Sequence, residues 1–238
     1  MNILKYSPSR FFLWFLILGG MLSWGWFVAM EDEVIEFYEK TPDYNLLEDA
    51  SFQKYLGNGQ YLVNADYVPW DLISIESDFT ANSARKFLLR KQAAAEFADL
   101  ARHFWKDTNG DRLFITSTYR SAKLQESLLK KGCSRAKCAE VWSSEHQLWL
   151  ALDLGVMTKQ GKYIAISKWN KYYQRLATSG ADWWFHNTYQ KWIDIDGQME
   201  EGRHWRFLWT ELAQTLRDQS QSFSEWYIGK QQTTNRAF

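Results

Sequence analysis

The chain has 238 residues, enough for one compact domain with a hydrophobic core plus a tail or an anchor. Its 14 tryptophans and 46% hydrophobic residues exclude a disordered chain, which requires low hydrophobicity and high net charge. Basic and acidic side chains balance at 28 each and form no basic stripe, so no nucleic-acid partner is expected.

The N-terminal residues contain a candidate membrane anchor. Residues 11–30 are an uncharged, largely apolar run of 20 residues, the length of helix that spans the hydrocarbon core of a bilayer. Lys5 and Arg10 precede this run and three acidic residues follow it, so the positive-inside rule predicts a cytoplasmic N-terminus. A cleaved signal peptide is the alternative, but residues 28–30 lack a small-x-small cleavage site. We expect a single-pass cell-membrane protein whose main domain is periplasmic or extracellular.

The first predicted elements after the anchor are a stalk and a helix. Residues 31–60 are acidic and polar and are expected to form the stalk, and extended chain with turns is expected from residue 61. Apolar residues at helical spacing predict a helix over residues 84–106, ended by the turn-forming residues 107–111. The predicted buried face of this helix consists of Phe87, Ala94, Phe97, Ala101 and Phe104.

Several shorter elements are predicted in the C-terminal half. They are a strand over 113–116, a helix over 121–131 ended by Gly132, a helix around 166–177, a strand over 203–209 and a helical, then frayed, C-terminal segment. Leucines alternate in residues 146–155, which predicts a strand with one apolar face. Asp153 lies on the other face of that strand, and a carboxylate in such a position indicates a site.

The chain contains only two cysteines, Cys133 and Cys138, with four residues between them. This spacing is not that of a Cys-x-x-Cys redox motif, and two thiolates alone do not complete a structural zinc site. In an oxidising compartment the two could form a disulfide bond, and a pair of free thiols is the alternative.

Two of the chain's 4 histidines, His146 and His204, can combine with Asp153 into the ligand set of a catalytic zinc ion. His146 and Asp153 are seven residues apart, so a straight strand would place them on opposite faces and the chain must bend after His146. Glu201 and His204 are three residues apart, so a straight strand would also place them on opposite faces. Gly202 is the expected place for a β-bulge that turns Glu201 toward the site as a general base. The alternative is that these histidines are ordinary hydrogen-bonded residues, because Glu-x-x-His alone is a weak pattern.

Three sequence blocks follow one another in a recognisable order. They are Ser117-Thr118-Tyr119-Arg120-Ser121 with Gln125, then Ser144-Glu145-His146-Gln147-Leu148 through Asp153, and then His204-Trp205-Arg206. Together they resemble the signature of zinc D-alanyl-D-alanine and L,D-carboxypeptidases of the VanY type. Residues 66–72 and 186–197 are also similar to that family, so the resemblance covers roughly residues 61–209.

The resemblance implies one zinc ion held by His146, Asp153 and His204, with Glu201 as catalytic base. It also implies that Arg120 faces the scissile carbonyl or the terminal carboxylate of the substrate, a role that suits a planar, permanently charged donor. The predicted substrate-binding residues are Ser121, Gln125, Ser144 and Tyr189. For these four, hydrogen bonding within a turn or the core is an equally open alternative.

The sequence departs from the family pattern at three places. The family usually has Glu-Pro-Trp-His, whereas this chain has Gly202 and Arg203 between Glu201 and His204. A tryptophan, Trp149, stands where a glycine usually follows the His-Gln-Leu segment, and Trp184 replaces the glycine of a glycine-phenylalanine pair. The ligands and the glutamate are retained, so chemistry is expected with a differently shaped substrate pocket.

The fold implied is α+β and Hedgehog/DD-peptidase-like, with a small, mostly antiparallel sheet and packed helices. The predicted organisation is a cytoplasmic segment 1–10, a transmembrane anchor 11–30, an acidic stalk 31–60, a carboxypeptidase domain 61–209 and a C-terminal helical extension 210–238. The expected function is zinc-dependent removal of a terminal D-alanine from peptidoglycan stem peptides. An endopeptidase of the same fold and a non-catalytic wall-binding module are the alternatives.

Overall fold

The computed structural model describes residues 55–56, 60–62, 67–75, 77–81, 86–191, 193–208 and 211–236. The chain divides into two units, Met1–Pro42 and Asp43–Phe238, and every described residue belongs to the second unit. The predicted membrane anchor and the cytoplasmic segment before it therefore lie outside the described residues. Within the part of the chain that is described, no helix combines the length and the apolar character that crossing a bilayer requires.

The described residues form short strands and helices. The strands are β1 (Leu72–Ser74), β2 (Leu88–Arg90), β3 (Arg112–Ser117), β4 (Ala151–Met157), β5 (Tyr163–Ala165), β6 (Phe185–His186) and β7 (His204–Phe207). The α-helices are α1 (Lys91–Asp107), α2 (Ala122–Lys130), α3 (Lys171–Ser179), α4 (Ile193–Asp196), α5 (Leu212–Asp218) and α6 (Phe223–Arg236). Short 3-10 helices span Ser77–Phe79, Glu145–Leu148 and Gly180–Trp183.

A five-stranded antiparallel sheet lies at the centre of the described fold, in the order β3-β4-β7-β6 with β5 also paired to β4. Strand β3 pairs with one edge of β4, while β7 and β5 share the other edge, opposite residues 151–153 and 155–157 respectively. Strands β1 and β2 form a separate two-stranded sheet. The predicted α+β class with a small, mostly antiparallel sheet is confirmed.

The central strand β4 is buried on both faces, not only on the leucine face that the alternation predicted. The second face contains Asp153 and Gly155. A Cβ atom added at Gly155 would lie 2.8 Å from the Tyr163 ring and 3.1 Å from the Phe114 ring. Because the rings lie this close to the backbone of β4, any larger residue at this position would have to displace them.

Helix α1 begins later than predicted, at Lys91 and not at residue 84. Residues 88–90 form β2, whose backbone pairs with β1, so Phe87 is buried without being helical. The other predicted members of the buried face do lie inside α1 and are buried: Ala94, Phe97, Ala101 and Phe104. A buried strand running directly into a helix keeps the apolar spacing, so periodicity alone could not place the boundary.

Helices α5 and α6 share a core with the rest of the described unit. The buried members of this cluster are Tyr55, Ala181, Leu208, Leu212, Ala213, Leu216 and Phe223. Tyr55 comes from the predicted stalk, and Ala181 comes from the predicted carboxypeptidase domain. The C-terminal helices therefore pack on that domain through shared apolar side chains.

The loop after α2 is closed by a disulfide bond between Cys133 and Cys138, whose Cα atoms lie 6.0 Å apart. The pairing that spacing alone left open is thus present. The same loop is tied to α2 by Gln125, whose Nε2 donates a hydrogen bond to the Ala139 carbonyl over 2.6 Å. A disulfide bond is typical of proteins in oxidising compartments.

Candidate metal centre

Sheet register and a 3-10 helix bring His146, Asp153 and His204 together. Asp153 on β4 and His204 on β7 are direct partners in the antiparallel ladder, so both side chains lie on the same face of the sheet. His146 lies in the 3-10 helix Glu145–Leu148, which precedes β4. The three side chains therefore lie close together, although the residues are far apart in sequence.

The bend that strand parity required after His146 is present. The predicted strand over 146–155 is only partly correct, because β4 begins at Ala151. Between the 3-10 helix and β4, Trp149 has a φ of 54°, in the left-handed region that reverses the local direction of the chain. The direction of the His146 side chain is therefore not set by the alternation of faces along β4.

The candidate ligand atoms form a compact, buried cluster. Asp153 Oδ1 lies 3.5 Å from His146 Nε2 and 3.6 Å from His204 Nδ1. The ligand atoms all lie within 4.8 Å of one another, and the three residues are buried. Among the described residues, no other group of histidine, cysteine and carboxylate side chains has this geometry. The side chains predicted to bind zinc are close enough to share one ion.

Two unpaired atoms in this cluster fit a metal ion. His146 Nε2 and Asp153 Oδ1 are buried and have no hydrogen-bond partner within the described residues, a costly arrangement unless a ligand satisfies them. His146 Nδ1 donates to the Thr118 carbonyl, which leaves a lone pair on Nε2. Burial lowers the pKa of His146 to about 4, so its ring is neutral. Two imidazole nitrogens and a carboxylate oxygen form a common catalytic zinc set.

Glu145 and Arg206 form a buried ionic network behind His204. His204 Nε2 donates to Glu145 Oε2 over 2.9 Å, and Arg206 Nη1 donates to Glu145 Oε1 over 3.1 Å. Burial acts to raise the pKa of Glu145, but the charges of Arg206 and His204 outweigh it and hold that pKa below its usual value. The other ring nitrogen of His204, Nδ1, faces Asp153, and the hydrogen bond from Nε2 to Glu145 fixes the orientation of the ring.

Sequence reasoning did not identify Glu145 as a site residue. A signal was available, because Arg206 follows His204 by two residues and so lies on the same face of β7. A buried arginine beside a predicted ligand requires a carboxylate partner. Glu145 lies next to His146 in the sequence, but neither helical nor strand periodicity predicts that it lies close to Arg206 on β7.

Replacing Glu145 by glutamine is expected to weaken zinc binding by about 10-fold to 100-fold, because the amide no longer orients the His204 ring as a carboxylate does. Zinc affinity would be measured by competition with a chromophoric chelator. Asp196→Asn is a matched control, since Asp196 is also fully buried but accepts from Ser224 and two backbone N–H groups instead. Equal losses of zinc affinity in both variants would contradict the assigned role of Glu145.

A tight turn, rather than the predicted β-bulge, places Glu201 beside His204. The His204 N–H donates to the Glu201 carbonyl over 3.1 Å. Asn187 Nδ2 donates to the carbonyls of Glu201 and His204, over 2.8 Å and 2.6 Å. The bulge prediction at Gly202 is wrong, because the chain turns through residues 201–204 before β7 continues. Asn187, another residue that the sequence did not single out, fixes both ends of the turn.

Gly202 is required by packing against a neighbouring backbone. An added Cβ atom would lie 2.8 Å from Lys168 N and 2.9 Å from Ser167 Cα, and neither is the end of a flexible side chain. Gly202→Ala is therefore expected to lower the free energy of unfolding by about 1–3 kcal/mol and to displace the turn. Denaturant unfolding measures this. Gly229→Ala, in α6 with no neighbouring atom within 4 Å, is the control and should be neutral or stabilising; similar losses in both variants would contradict the packing argument.

The sequence of this region decides the family. A family model described as VanY, D-alanyl-D-alanine carboxypeptidase, matches residues 86–210, which is more than half of the chain and includes the whole cluster. The chain belongs to this family. The resemblance of the sequence blocks is thereby confirmed, although no curated protein sequence matches the chain.

Solved structures share the fold of this VanY-family protein. The LdcB LD-carboxypeptidase has 22% identity and a TM-score of 0.63, over 73% of this chain and 84% of the other. VanYB in complex with D-alanine-D-alanine has 19% identity and a TM-score of 0.59, over 75% and 98%. A mutant of the D,D-pentapeptidase VanY in complex with Zn(II) has 19% identity and a TM-score of 0.59, over 74% and 98%. At these identities the likeness concerns the fold.

Of the remaining predicted residues in this VanY-family chain, Arg120 and Tyr189 touch the cluster directly. Arg120 Nη2 donates to Asp153 Oδ2 over 2.6 Å, so the guanidinium contacts a predicted ligand. The ring of Tyr189 stacks on His204, with 4.6 Å between centroids. Burial raises the pKa of Tyr189 well above its usual value, so its hydroxyl stays protonated. Their predicted roles toward substrate stay predictions.

The other three predicted substrate-binding residues make local hydrogen bonds. Ser121 caps α2 by accepting from the Leu124 N–H over 3.2 Å. Ser144 donates its backbone N–H to Gln147 Oε1 over 3.3 Å at the start of the 3-10 helix. Gln125 is fully buried and bonded to the disulfide loop. These are the turn and core hydrogen bonds that the sequence left open as the alternative role of these residues. Substrate binding by them stays a prediction.

Proposed function

We propose that this VanY-family protein is a zinc-dependent carboxypeptidase that removes a terminal D-alanine from peptidoglycan stem peptides. The observation that carries the proposal is the pair of buried, unpartnered atoms, His146 Nε2 and Asp153 Oδ1, beside His204 Nδ1. In a chain of this family, such a cluster is best explained as a metal site. Either a D,D- or an L,D-peptide bond fits this proposal.

His146, Asp153 and His204 would hold the zinc ion. A zinc ion held there would polarise the scissile carbonyl and make the attacking water more acidic. Glu201, whose side chain is partly exposed on the turn before His204, would accept the proton of that water and return it to the leaving amine. Arg120, which already contacts Asp153, supplies further N–H groups for the negative charge that develops on the carbonyl oxygen.

The proposed location is the outer face of the cytoplasmic membrane, with residues 11–30 as the anchor. The hydropathy of that segment and the disulfide bond between Cys133 and Cys138 support this location. Protease added to intact spheroplasts should digest the carboxypeptidase domain while cytoplasmic proteins survive. Full protection of the domain would contradict an outward-facing location.

Digestion of purified peptidoglycan fragments tests the activity. Full-length protein loaded with zinc is incubated with muropeptides, and the products are identified by mass spectrometry. Loss of single alanines is the expected result, and Glu201→Gln should abolish it. Cleavage inside the stem or the cross-bridge would instead indicate the endopeptidase. Unchanged muropeptides with a zinc-loaded, folded protein would indicate the non-catalytic wall-binding module.

A further inference from the structure

Arg203 occupies a position that sets this chain apart from the family pattern, directly between the proposed base and a proposed ligand. Its Nη2 lies 2.5 Å from Glu201 Oε1, and its Nε lies 4.0 Å from Asp153 Oδ1. The Arg203 side chain is 54% exposed, whereas that of Asp153 is only 5% exposed. A cation therefore stands at the solvent side of the cluster.

The backbone of Arg203 is held in place, whereas its side chain is exposed to solvent. Its carbonyl accepts from the Leu154 N–H over 2.9 Å, which ties it to β4. Gly202, next to it, is packed against the backbone of Ser167 and Lys168. Only the exposed guanidinium can therefore change partners, and it can do so without disturbing the sheet.

The charges at this position favour an anionic ligand. Glu201 and Asp153 are balanced by Arg120 and Arg203, so a bound divalent cation leaves the cluster with a net positive charge. Arg120 is 18% exposed and is held by Asp153, so Arg203 is the more accessible of the two guanidinium groups. A guanidinium group pairs with a carboxylate through two parallel N–H donors.

A free terminal carboxylate distinguishes carboxypeptidase substrates from endopeptidase substrates. In a carboxypeptidase substrate that carboxylate lies one residue beyond the scissile bond, and Arg203 Nε lies 4.0 Å from Asp153 Oδ1, so a guanidinium group stands beside the proposed metal site. An endopeptidase substrate would offer no carboxylate at this place.

We infer that Arg203 binds the free C-terminal carboxylate of the peptide substrate, exchanging its pairing with Glu201 for that carboxylate. In the absence of substrate, the Arg203 guanidinium is paired with the Glu201 carboxylate. The arriving substrate carboxylate competes for the same guanidinium. This inference rests on the proposed carboxypeptidase function and assigns the group that selects its substrates.

Paired substrates that differ only at the C-terminus test the inference. Full-length protein, its Arg203→Gln and Arg203→Lys variants, and the control Arg102→Gln are assayed with two N-acetylated peptides. One ends in D-Ala-D-Ala and the other in an L-residue followed by D-Ala, and each is used as the free acid and as the C-terminal amide. Arg102 is a suitable control because it is an exposed arginine paired with Asp99 on α1. Zinc content and circular dichroism are recorded for each variant. A substitution that acts by disturbing the metal site would lower the zinc content.

The wild-type protein should prefer the free acid over the amide by about 10-fold to 100-fold in kcat/KM, the range of a charge-assisted hydrogen bond. Arg203→Gln should bring that ratio close to one with zinc retained, Arg203→Lys should keep part of it, and Arg102→Gln should keep it in full. An unchanged ratio in Arg203→Gln would overturn the inference while leaving the carboxypeptidase function intact. A wild-type protein that cleaves none of the four peptides would instead contradict the proposed function, and with it the inference.

Discussion

Replacing Glu201 by alanine is expected to lower kcat/KM for release of D-alanine by about 100-fold to 10,000-fold and to leave bound zinc in place. Glu201 is not one of the clustered ligand residues, and its side chain is 24% exposed on the turn before His204. The variant loses the proton acceptor but keeps all three proposed ligands. Steady-state kinetics and metal analysis on the same preparation measure both effects.

The neighbouring residue provides a matched control for this variant. Glu200 is an acidic residue of the same segment, and its carboxylate pairs with Lys168 over 2.7 Å at the surface. Glu200→Ala should therefore retain near wild-type turnover, since an exposed pair of this kind contributes about 0–1 kcal/mol to stability. If Glu201→Ala lost zinc, or if both variants lost the same activity, Glu201 could not be the separate catalytic base.

Replacing Asp153 by alanine is expected to abolish zinc binding and turnover together. Asp153 Oδ1 lies within 3.6 Å of a nitrogen of both histidines, and Oδ2 accepts from Arg120 over 2.6 Å. Burial acts to raise the pKa of Asp153, but His146, His204 and Arg120 hold it well below its usual value. Removing this charge leaves Arg120 without its buried partner, at a cost of about 3–5 kcal/mol of stability.

Two further variants separate zinc loss from general destabilisation. Asp153→Asn keeps the size of the side chain, so it should remain folded while zinc affinity falls sharply. Asp111→Asn is the control, because Asp111 is also buried and accepts from the Lys159 N–H over 3.0 Å and the Tyr172 hydroxyl over 2.8 Å. Asp111→Asn should cost stability without loss of zinc. Retention of zinc by Asp153→Asn with wild-type affinity would show that Asp153 is not a ligand.

The bend between His146 and Asp153 could be predicted because its constraint is local, whereas the approach of His204 was predicted from the family resemblance. The seven-residue spacing of His146 and Asp153 required a bend, and the structure contains one immediately before β4. The start of α1 could not be predicted in the same way, since Phe87 fits the helical spacing of the later residues, yet residues 88–90 pair with β1. Pairing between distant segments overrides a local pattern, and periodicity does not record it.

The tryptophans at family glycine positions show a second limit of sequence reasoning. Trp149 and Trp184 have φ angles of 54° and 63°, so the backbone keeps the left-handed conformation that favours glycine. Trp149 stacks on Tyr119 with 3.9 Å between centroids, and Trp184 stacks on Phe207 at 6.2 Å. The sequence marked both residues as departures, but which aromatic contacts offset the backbone strain depends on the tertiary fold.

The zinc content of the purified full-length protein tests the central claim most directly. The protein would be loaded with zinc, desalted and analysed by elemental mass spectrometry, with His146→Ala and His204→Ala treated in parallel. The wild-type protein should retain zinc in equimolar amount, and each histidine variant should retain almost none while remaining folded by circular dichroism. A folded wild-type protein that retains no zinc, or histidine variants that retain as much as it does, would contradict the shared metal site.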